Sequence, residues 1–194
     1  MRILHEDTDG AQLIEHNFME YSDLIDTIIN QVSDSYLITP CIKVFGKEAK
    51  QPRDVQFRSN ASSGYNYSNQ CMQAIQLTTE METLMTEVNR RLGSSYNGIL
   101  FNRYTDGSKT VGAHSDSEKG LNSNAGVVSI SYGTIRKFRI RDKKTKHMVG
   151  DYPTRHLRAL QMKGPFQKNY THEIPIQKKI KTERVSMTFR EHTS

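Results

Sequence analysis

The segment 113–118, AHSDSE, carries side chains suited to binding a metal ion. His114 and Asp116 are two positions apart, so on an extended chain both side chains point to the same side and one ion can bind both. Two histidines and one carboxylate on one face form a set that suits iron and leaves coordination positions open. The second histidine must come from a distant strand, and His172 fits best among the seven because it begins a predicted strand.

The segment 184–190, RVSMTFR, is a predicted strand with unusual charge at both ends. At a two-residue period it has a polar face, Arg184, Ser186, Thr188 and Arg190, and an apolar face, Val185, Met187 and Phe189. An amphipathic strand with its polar face in water is one interpretation. If the polar face points inward, Arg184 becomes a buried charge that requires an anion. A dicarboxylate bound at the metal would supply that anion, because a guanidinium group matches a carboxylate bidentately.

The elements that must position these residues begin with helices. Apolar spacing predicts a helix over 23–33, with Ser22 as its N-cap, and a second over 80–92. The second helix follows a capping-box pattern that starts at Thr79, and Gly93 is expected to end it. The segment between the helices, 38–77, has the composition of short strands and turns.

Short strands separated by turns dominate the second half of the chain. The predicted strands are 98–104, 126–132, 134–141, 157–162, 172–176 and 184–190. Helices followed by closely spaced strands predict an α+β fold, in which N-terminal helices pack on one sheet of a jelly roll, or double-stranded β-helix.

Length and composition limit the class of protein. A chain of 194 residues predicts a single domain, 1–194. Its two cysteines form no C-x-x-C pair, its first residues are polar and acidic, and no apolar run is long enough to span a bilayer. We expect a soluble intracellular monomer, cytoplasmic or nuclear, without membrane contact.

The positive charge is concentrated in one segment. Residues 136–147, RKFRIRDKKTKH, hold seven Lys or Arg and one Asp, which equals the net charge of +6 of the whole chain. Such a segment is either a solvated hairpin tip or a surface that attracts a polyanion.

Residues 97–191 resemble the AlkB family of Fe(II)- and 2-oxoglutarate-dependent dioxygenases, because several motifs of that family occur here in the same order. They are Asn102-Arg103-Tyr104 with Asp106-Gly107, then HSDSE at 114–118, VVSISYG, Arg136-Lys137-Phe138, Met162-Lys163-Gly164, Tyr170-Thr171-His172 and RVSMTFR. Weaker matches lie upstream, at Phe45-Gly46-Lys47, Pro52-Arg53 and Tyr65-Asn66-Tyr67-Ser68. The resemblance implies a jelly-roll catalytic core over 97–194, preceded by helices and substrate-binding lid strands over 1–96.

The resemblance also implies roles for individual residues. Fe(II) would be held by His114, Asp116 and His172. Arg184 would pair with the distal carboxylate of 2-oxoglutarate, and Arg190 would serve the end near the metal. The remaining co-substrate residues would be Asn102 and Tyr104, which donate or accept hydrogen bonds, and Ser186 and Thr188, which line the same floor.

The implied reaction is oxidative demethylation of N-alkylated nucleobases such as 1-methyladenine and 3-methylcytosine. It would consume O2 and 2-oxoglutarate and release succinate, CO2 and formaldehyde. These lesions lie on the Watson–Crick edge, so the DNA or RNA base must be flipped or already single-stranded.

Contacts with the substrate are predicted at two places. Glu118 would contact the exocyclic amine of the base, and Phe57, Tyr65 or Tyr67 would stack on it. The stacking segment departs from the family, since QFRSNASSG replaces the usual aromatic-Gly-acidic turn. The basic run, beginning with Arg136 and Lys137, would contact phosphates and make binding strongly salt-dependent.

Three alternatives remain open from the sequence. The same iron site could serve an RNA, tRNA or N6-methyladenine demethylase or a modified-base hydroxylase. A catalytically silent nucleic-acid-binding module would use the basic run alone. A zinc hydrolase could use the same two histidines and aspartate, but it would leave Arg184 and Arg190 without an anion.

Overall fold

The computed structural model describes residues 1–36, 40–44, 47–62, 64–67, 70–117, 120–122 and 124–193. The helices are α1 (Ser22–Val32), α2 (Thr79–Leu92) and α3 (Phe166–Asn169), with a 3-10 turn at Met19–Tyr21. The strands of the first half are β1 (Arg2–Glu6), β2 (Gln12–Asn17), β3 (Cys41–Val44), β4 (Lys47–Lys50), β5 (Asp54–Ser59), β6 (Gly64–Tyr67) and β7 (Gln70–Gln73). Those of the second half are β8 (Gly98–Tyr104), β9 (Val111–His114), β10 (Val127–Gly133), β11 (Lys137–Asp142), β12 (Met148–Pro153), β13 (Arg158–Lys163), β14 (Tyr170–Ile174) and β15 (Arg184–Arg190).

Antiparallel sheet dominates these elements, as a jelly roll requires. The large sheet has the strand order β1-β2-β13-β10-β15-β8-β5, and the small sheet has the order β12-β11-β14-β9. Two hairpins, β3-β4 and β6-β7, form separate two-stranded sheets. One apolar cluster joins the sheets, because it contains Leu160 and Met162 of the large sheet together with Phe138 and Ile140 of the small one.

Strand β15 lies in the middle of the large sheet, between β10 and β8. Its apolar residues are buried in the cluster that also contains the buried faces of both long helices: Val185, Met187 and Phe189 with Ile25, Ile28, Val32, Met81, Leu84 and Val88. Its polar residues are also buried. The interpretation of 184–190 as a wet surface strand is therefore wrong, and the polar face points into the protein.

The ends of the helices differ in detail from the predictions. Ser22 is the first residue of α1 rather than its cap, and the cap position, Tyr21, makes no side-chain cap bond. In α2 the capping residue is Thr78, one residue earlier than predicted, because it is the last extended residue and its hydroxyl accepts from the Met81 N–H. The predicted stop is confirmed: Gly93 adopts the left-handed conformation at φ 61°.

The predicted strands 98–104 and 184–190 match β8 and β15, and the boundaries of the other predicted strands differ by one to three residues. Strand β12 was missed because MVGDYP, with its Gly and Pro, lacks the composition of a strand and lies at a sheet edge.

The expected division at residue 97 is not a division of the large sheet, since β1, β2 and β5 from the first half belong to that sheet. No helix in the described ranges has the length and apolar character needed to cross a bilayer.

The turn after β8 is hydrogen-bonded to the segment that leads into β15. The Gly107 N–H donates to the Ile180 carbonyl at 3.0 Å, and the Gly107 carbonyl accepts from the Gln177 N–H at 2.8 Å. A Cβ on Gly107 would lie 1.9 Å from the Gln177 carbonyl oxygen. The glycine is therefore required by this close backbone approach.

We expect Gly107→Ala to lower the free energy of unfolding by about 1–3 kcal/mol, because the backbone must move to admit the methyl group. The matched control is Gly112→Ala in β9, where an added Cβ meets no atom within 4 Å, with an expected change below about 0.5 kcal/mol. Urea unfolding followed by circular dichroism measures both. Equal midpoints for the two variants would contradict the close approach.

Candidate metal centre

The predicted metal ligands meet at the end of the small sheet. His172 in β14 pairs directly opposite His114 in β9, and their ring centroids are 4.3 Å apart. Asp116 follows two residues after β9 ends. One ligand atom from each of the three residues lies within 4.8 Å of the other two. The predicted His-Asp-His triad is confirmed.

The two imidazoles are prepared to bind a cation. The Nδ1 of His114 is 2.8 Å from the Gly112 carbonyl oxygen; since a carbonyl only accepts, Nδ1 carries the proton and Nε2 keeps its lone pair. Burial lowers the pKa of His172 to about 3 and lowers that of His114 as well. Both rings are therefore neutral near neutral pH, which is the form that a metal requires.

Asp116 is a buried carboxylate with one oxygen occupied and one available. Its Oδ1 accepts a short hydrogen bond from Nη2 of Arg190. Although burial favours the neutral acid, the Arg190 guanidinium holds the pKa of Asp116 below its usual value. Within the described ranges, Oδ2 accepts no hydrogen bond and lies 3.6 Å from Nε2 of His172. A buried anionic oxygen in this position fits a metal cation.

One cavity is lined by the triad and by Arg184, which lies at the opposite end of β15 from Arg190, the partner of Asp116. Arg184 is only 2% exposed, and its Nη2 donates to the Ser131 hydroxyl at 2.9 Å. Its Nε and Nη1 meet no acceptor in the part of the chain that the structure describes. Burial lowers the pKa of Arg184 to about 10, which still leaves the guanidinium charged near neutral pH. This is a buried cation that lacks an anionic partner among the described side chains.

The other residues predicted to hold a co-substrate line the same cavity: Asn102, Tyr104, Ser186, Thr188 and Arg190. The register explains their convergence, because Asn102 lies opposite Ser186 and Tyr104 lies opposite Arg184 in the β8–β15 pair. The Tyr104 ring centroid is 5.3 Å from the guanidinium carbon of Arg184.

Sequence reasoning did not assign two further residues of this cavity. Arg53 is buried and donates through Nε to the Asn102 side-chain oxygen at 2.7 Å. The Ser129 hydroxyl lies 3.2 Å from that of Thr188. The Pro52-Arg53 motif could have indicated Arg53 as a site residue. Ser129 could not have been identified, because a serine in a strand is common and indicates no particular role.

The residues predicted to contact the base are described only in part. Glu118 lies outside the described residues. Tyr65 and Tyr67 lie in β6, and their side chains are outside what the structure describes. Phe57 is 1% exposed and clusters with Leu100. A ring that stacks on a base must expose one face, and the Phe57 ring exposes neither. The prediction that Phe57 stacks on a base is therefore corrected to a packing role.

Arg136 is a structural residue, and its prediction as a substrate contact is wrong. Its side chain is buried, and the guanidinium donates to three backbone carbonyls, those of Asp106, Lys109 and Pro175, at 2.9–3.0 Å. Its Nε also donates to the Gln177 side chain at 3.3 Å. A guanidinium engaged in this way cannot reach a phosphate.

Much of the remaining charge in the basic run is paired across the small sheet. Lys137 and Arg139 contact Asp151 at 3.0 and 2.7 Å, and Arg141 contacts Glu173 at 3.0 Å. These partners lie on neighbouring strands, so counting charges along the run could not reveal them. Lys137 remains half exposed.

The tip of the β11–β12 hairpin keeps its charge exposed, at Lys144 and Lys146. The Thr145 N–H donates to Asp142 at 2.6 Å, which shapes the turn between them. The expected salt-dependent attraction of a polyanion therefore remains a prediction for this tip rather than for the whole run.

Comparisons with known proteins agree with this geometry. The sequence profile of the 2OG-Fe(II) oxygenase superfamily matches residues 12–190. Human "DNA oxidative demethylase ALKBH2" is 30% identical over 156 residues, which are 77% of this chain and 60% of the relative. The rat "Alpha-ketoglutarate-dependent dioxygenase alkB homolog 3" is 33% identical over 116 residues, 56% of this chain and 39% of the relative.

The chain thus spans about 60% of the length of the human relative. Among solved structures, "The structure of OsALKBH1" shares the fold with a TM-score of 0.63 at 16% identity, and the match covers 92% of this chain and 97% of that one. The profile match, the relatives and the His-Asp-His triad agree, and the chain belongs to the 2OG-Fe(II) oxygenase superfamily as an AlkB-family member.

Proposed function

We propose that this protein removes N-alkyl groups from nucleobases by oxidation, with Fe(II), O2 and 2-oxoglutarate. The observation that carries the proposal is the cavity between the sheets, with a metal triad at one end and the buried Arg184 at the other. A ligand with a chelating group at one end and a carboxylate at the other matches both ends. 2-Oxoglutarate has this structure.

At the metal end, His114, Asp116 and His172 would hold Fe(II). When bound, iron supplies the activation of O2, coupled to oxidative decarboxylation of the co-substrate to succinate and CO2. Arg190 contributes by fixing the Asp116 carboxylate in its ionised form through the buried ion pair. A neutral acid would be a poorer ligand, so this pair supports metal binding.

At the far end, Arg184 would pair with the distal carboxylate through the Nε and Nη1 groups that find no acceptor among the described residues. Such a pair satisfies a charge that is otherwise costly to bury. Asn102, Tyr104, Ser186 and Thr188 would line the path between the two ends. A zinc hydrolase with the same triad would have no use for this buried guanidinium.

The substrate class rests on the relatives, which are named as a DNA demethylase and an alkB homolog. Hydroxylation of an N-methyl group gives a hemiaminal that releases formaldehyde spontaneously, so the protein needs to position only the methyl carbon near the metal. The base must leave the stack to reach the triad. Tyr65 or Tyr67 would stack on it, worth about 1–3 kcal/mol, and Glu118 would accept from its exocyclic amine.

The first prediction concerns the metal. We expect His172→Ala to weaken Mn(II) binding more than about 100-fold, beyond the usual cost of losing a residue that only supports a ligand, and to abolish succinate formation. His147→Ala, in the exposed hairpin turn, is the matched control and should bind Mn(II) like the parent. Titration followed by electron paramagnetic resonance measures both. Equal affinities would show that the metal binds elsewhere.

The second prediction concerns the co-substrate. We expect Arg184→Met to raise the KM for 2-oxoglutarate at least about 30-fold, since truncating one partner of a buried charge pair costs about 2–5 kcal/mol. Arg103→Met is the control, because Arg103 on β8 pairs with Glu183 rather than with the cavity. Succinate formation at varied 2-oxoglutarate gives KM and kcat. An unchanged KM in Arg184→Met would refute the proposed carboxylate pair.

The third prediction concerns the substrate. With Fe(II), ascorbate and 2-oxoglutarate, we expect loss of the methyl group from 1-methyladenine and 3-methylcytosine in single- and double-stranded oligonucleotides, measured by mass spectrometry. DNA and RNA versions of each identify the preferred backbone. Activity on N6-methyladenine without activity on the first two bases would overturn the repair-type substrate. No succinate with any of them would favour a silent binding module.

A further inference from the structure

The metal ligand Asp116 lies outside the sheets, which raises the question of what fixes its position. The ladder of β9 ends at His114, and residues 115–117 adopt no regular structure. The two histidines are held by their pairing across β9 and β14, but that pairing does not extend to Asp116. A ligand on such a segment would vary in position unless another contact held its backbone.

The side chain of Gln167 provides that contact. Its Oε1 accepts from the backbone N–H of Asp116 at 2.9 Å. Since an N–H only donates, the oxygen and not the nitrogen of the amide must face Asp116. The Nε2 group then points to the sulfur of Met162 at 3.3 Å, a weak acceptor in the neighbouring strand β13.

Gln167 is itself held firmly. It lies in the single turn α3, next to Phe166, which is fully buried between the sheets. Its backbone carbonyl accepts from Nζ of Lys143 at 2.7 Å. A second contact holds the chain one residue before the ligand, because the Ser115 hydroxyl donates to the carbonyl of Tyr170, the first residue of β14, at 2.7 Å.

We infer that Gln167 is a positioning residue that fixes the backbone of Asp116, so that its carboxylate faces the two histidines. Gln167 does so from outside the metal centre, while Arg190 holds the other side of the same residue through Oδ1. The backbone contact and the side-chain contact together leave Oδ2 directed toward His172. Neither motif matching nor periodicity identifies Gln167, because it acts through a single tertiary hydrogen bond.

Metal affinity tests this inference directly and requires no turnover. In Gln167→Met, which keeps the length but removes the acceptor, we expect the Kd for Mn(II) to rise about 10- to 100-fold, the usual cost of losing a residue that orients a ligand. Gln167→Glu still offers an oxygen to the N–H and should bind Mn(II) within about threefold of the parent. The control is Lys168→Gln, the exposed neighbour in α3, with unchanged affinity.

Two further readouts separate positioning from general stability. The electron paramagnetic resonance spectrum of bound Mn(II) should change in Gln167→Met and be restored in Gln167→Glu, whereas the metal-free melting temperature should be similar in all variants. In the parent protein, the Asp116 amide should exchange slowly with deuterium although it lies outside the sheets. This last measurement applies even if Gln167→Met fails to fold.

The inference rests on the metal triad and holds whether or not an N-alkylated base is the substrate. Parent-like Mn(II) affinity in Gln167→Met would overturn it. So would equal weakening in Gln167→Met and Gln167→Glu, which would show that the acceptor oxygen is not what matters, or rapid exchange of the Asp116 amide in the parent. A protein that passes these tests but makes no succinate would refute only the proposed function.

Discussion

The structure depends on the burial of two guanidinium groups at the ends of one central strand. Strand β15 is paired along both edges, and its polar face is buried because it lines the cavity that residues of the small sheet also line. Burying a guanidinium is costly unless an anion or several acceptors meet it. Arg190 meets Asp116, which is thereby kept ionised beside the two histidines. Arg184 donates to the Ser131 hydroxyl and lines the cavity.

This arrangement makes the two sheets do different work. The large sheet supplies the two arginines on β15 and polar side chains on β8, and the small sheet supplies both histidines, on β9 and β14. The apolar side of β15 is buried in the cluster that contains the buried faces of both long helices. The register of β15 therefore determines which side chains line the cavity, since a shift of β15 by one residue would turn both arginines out of it.

Site residues could be predicted from the sequence where their spacing along the chain also brings their side chains to one face. The two-residue period of 184–190 and the spacing of His114 and Asp116 are visible in the chain, and both arise from extended backbone. Arg136 misled because the three carbonyls that bind it come from other segments of the chain. Asp151 and Glu173 neutralise part of the basic run across strand pairs that counting along the chain does not show. Gln167 was missed for the same physical reason.

The central claim is that one ligand bridges the metal triad and Arg184. A crystal structure of the protein with Mn(II) and 2-oxoglutarate tests it most directly, because Mn(II) occupies such sites without turnover. The account predicts Mn(II) bound by His114, Asp116 and His172, with the distal carboxylate of 2-oxoglutarate within hydrogen-bonding distance of Arg184. A co-substrate bound outside this cavity, or a distal carboxylate that does not contact Arg184, would contradict it.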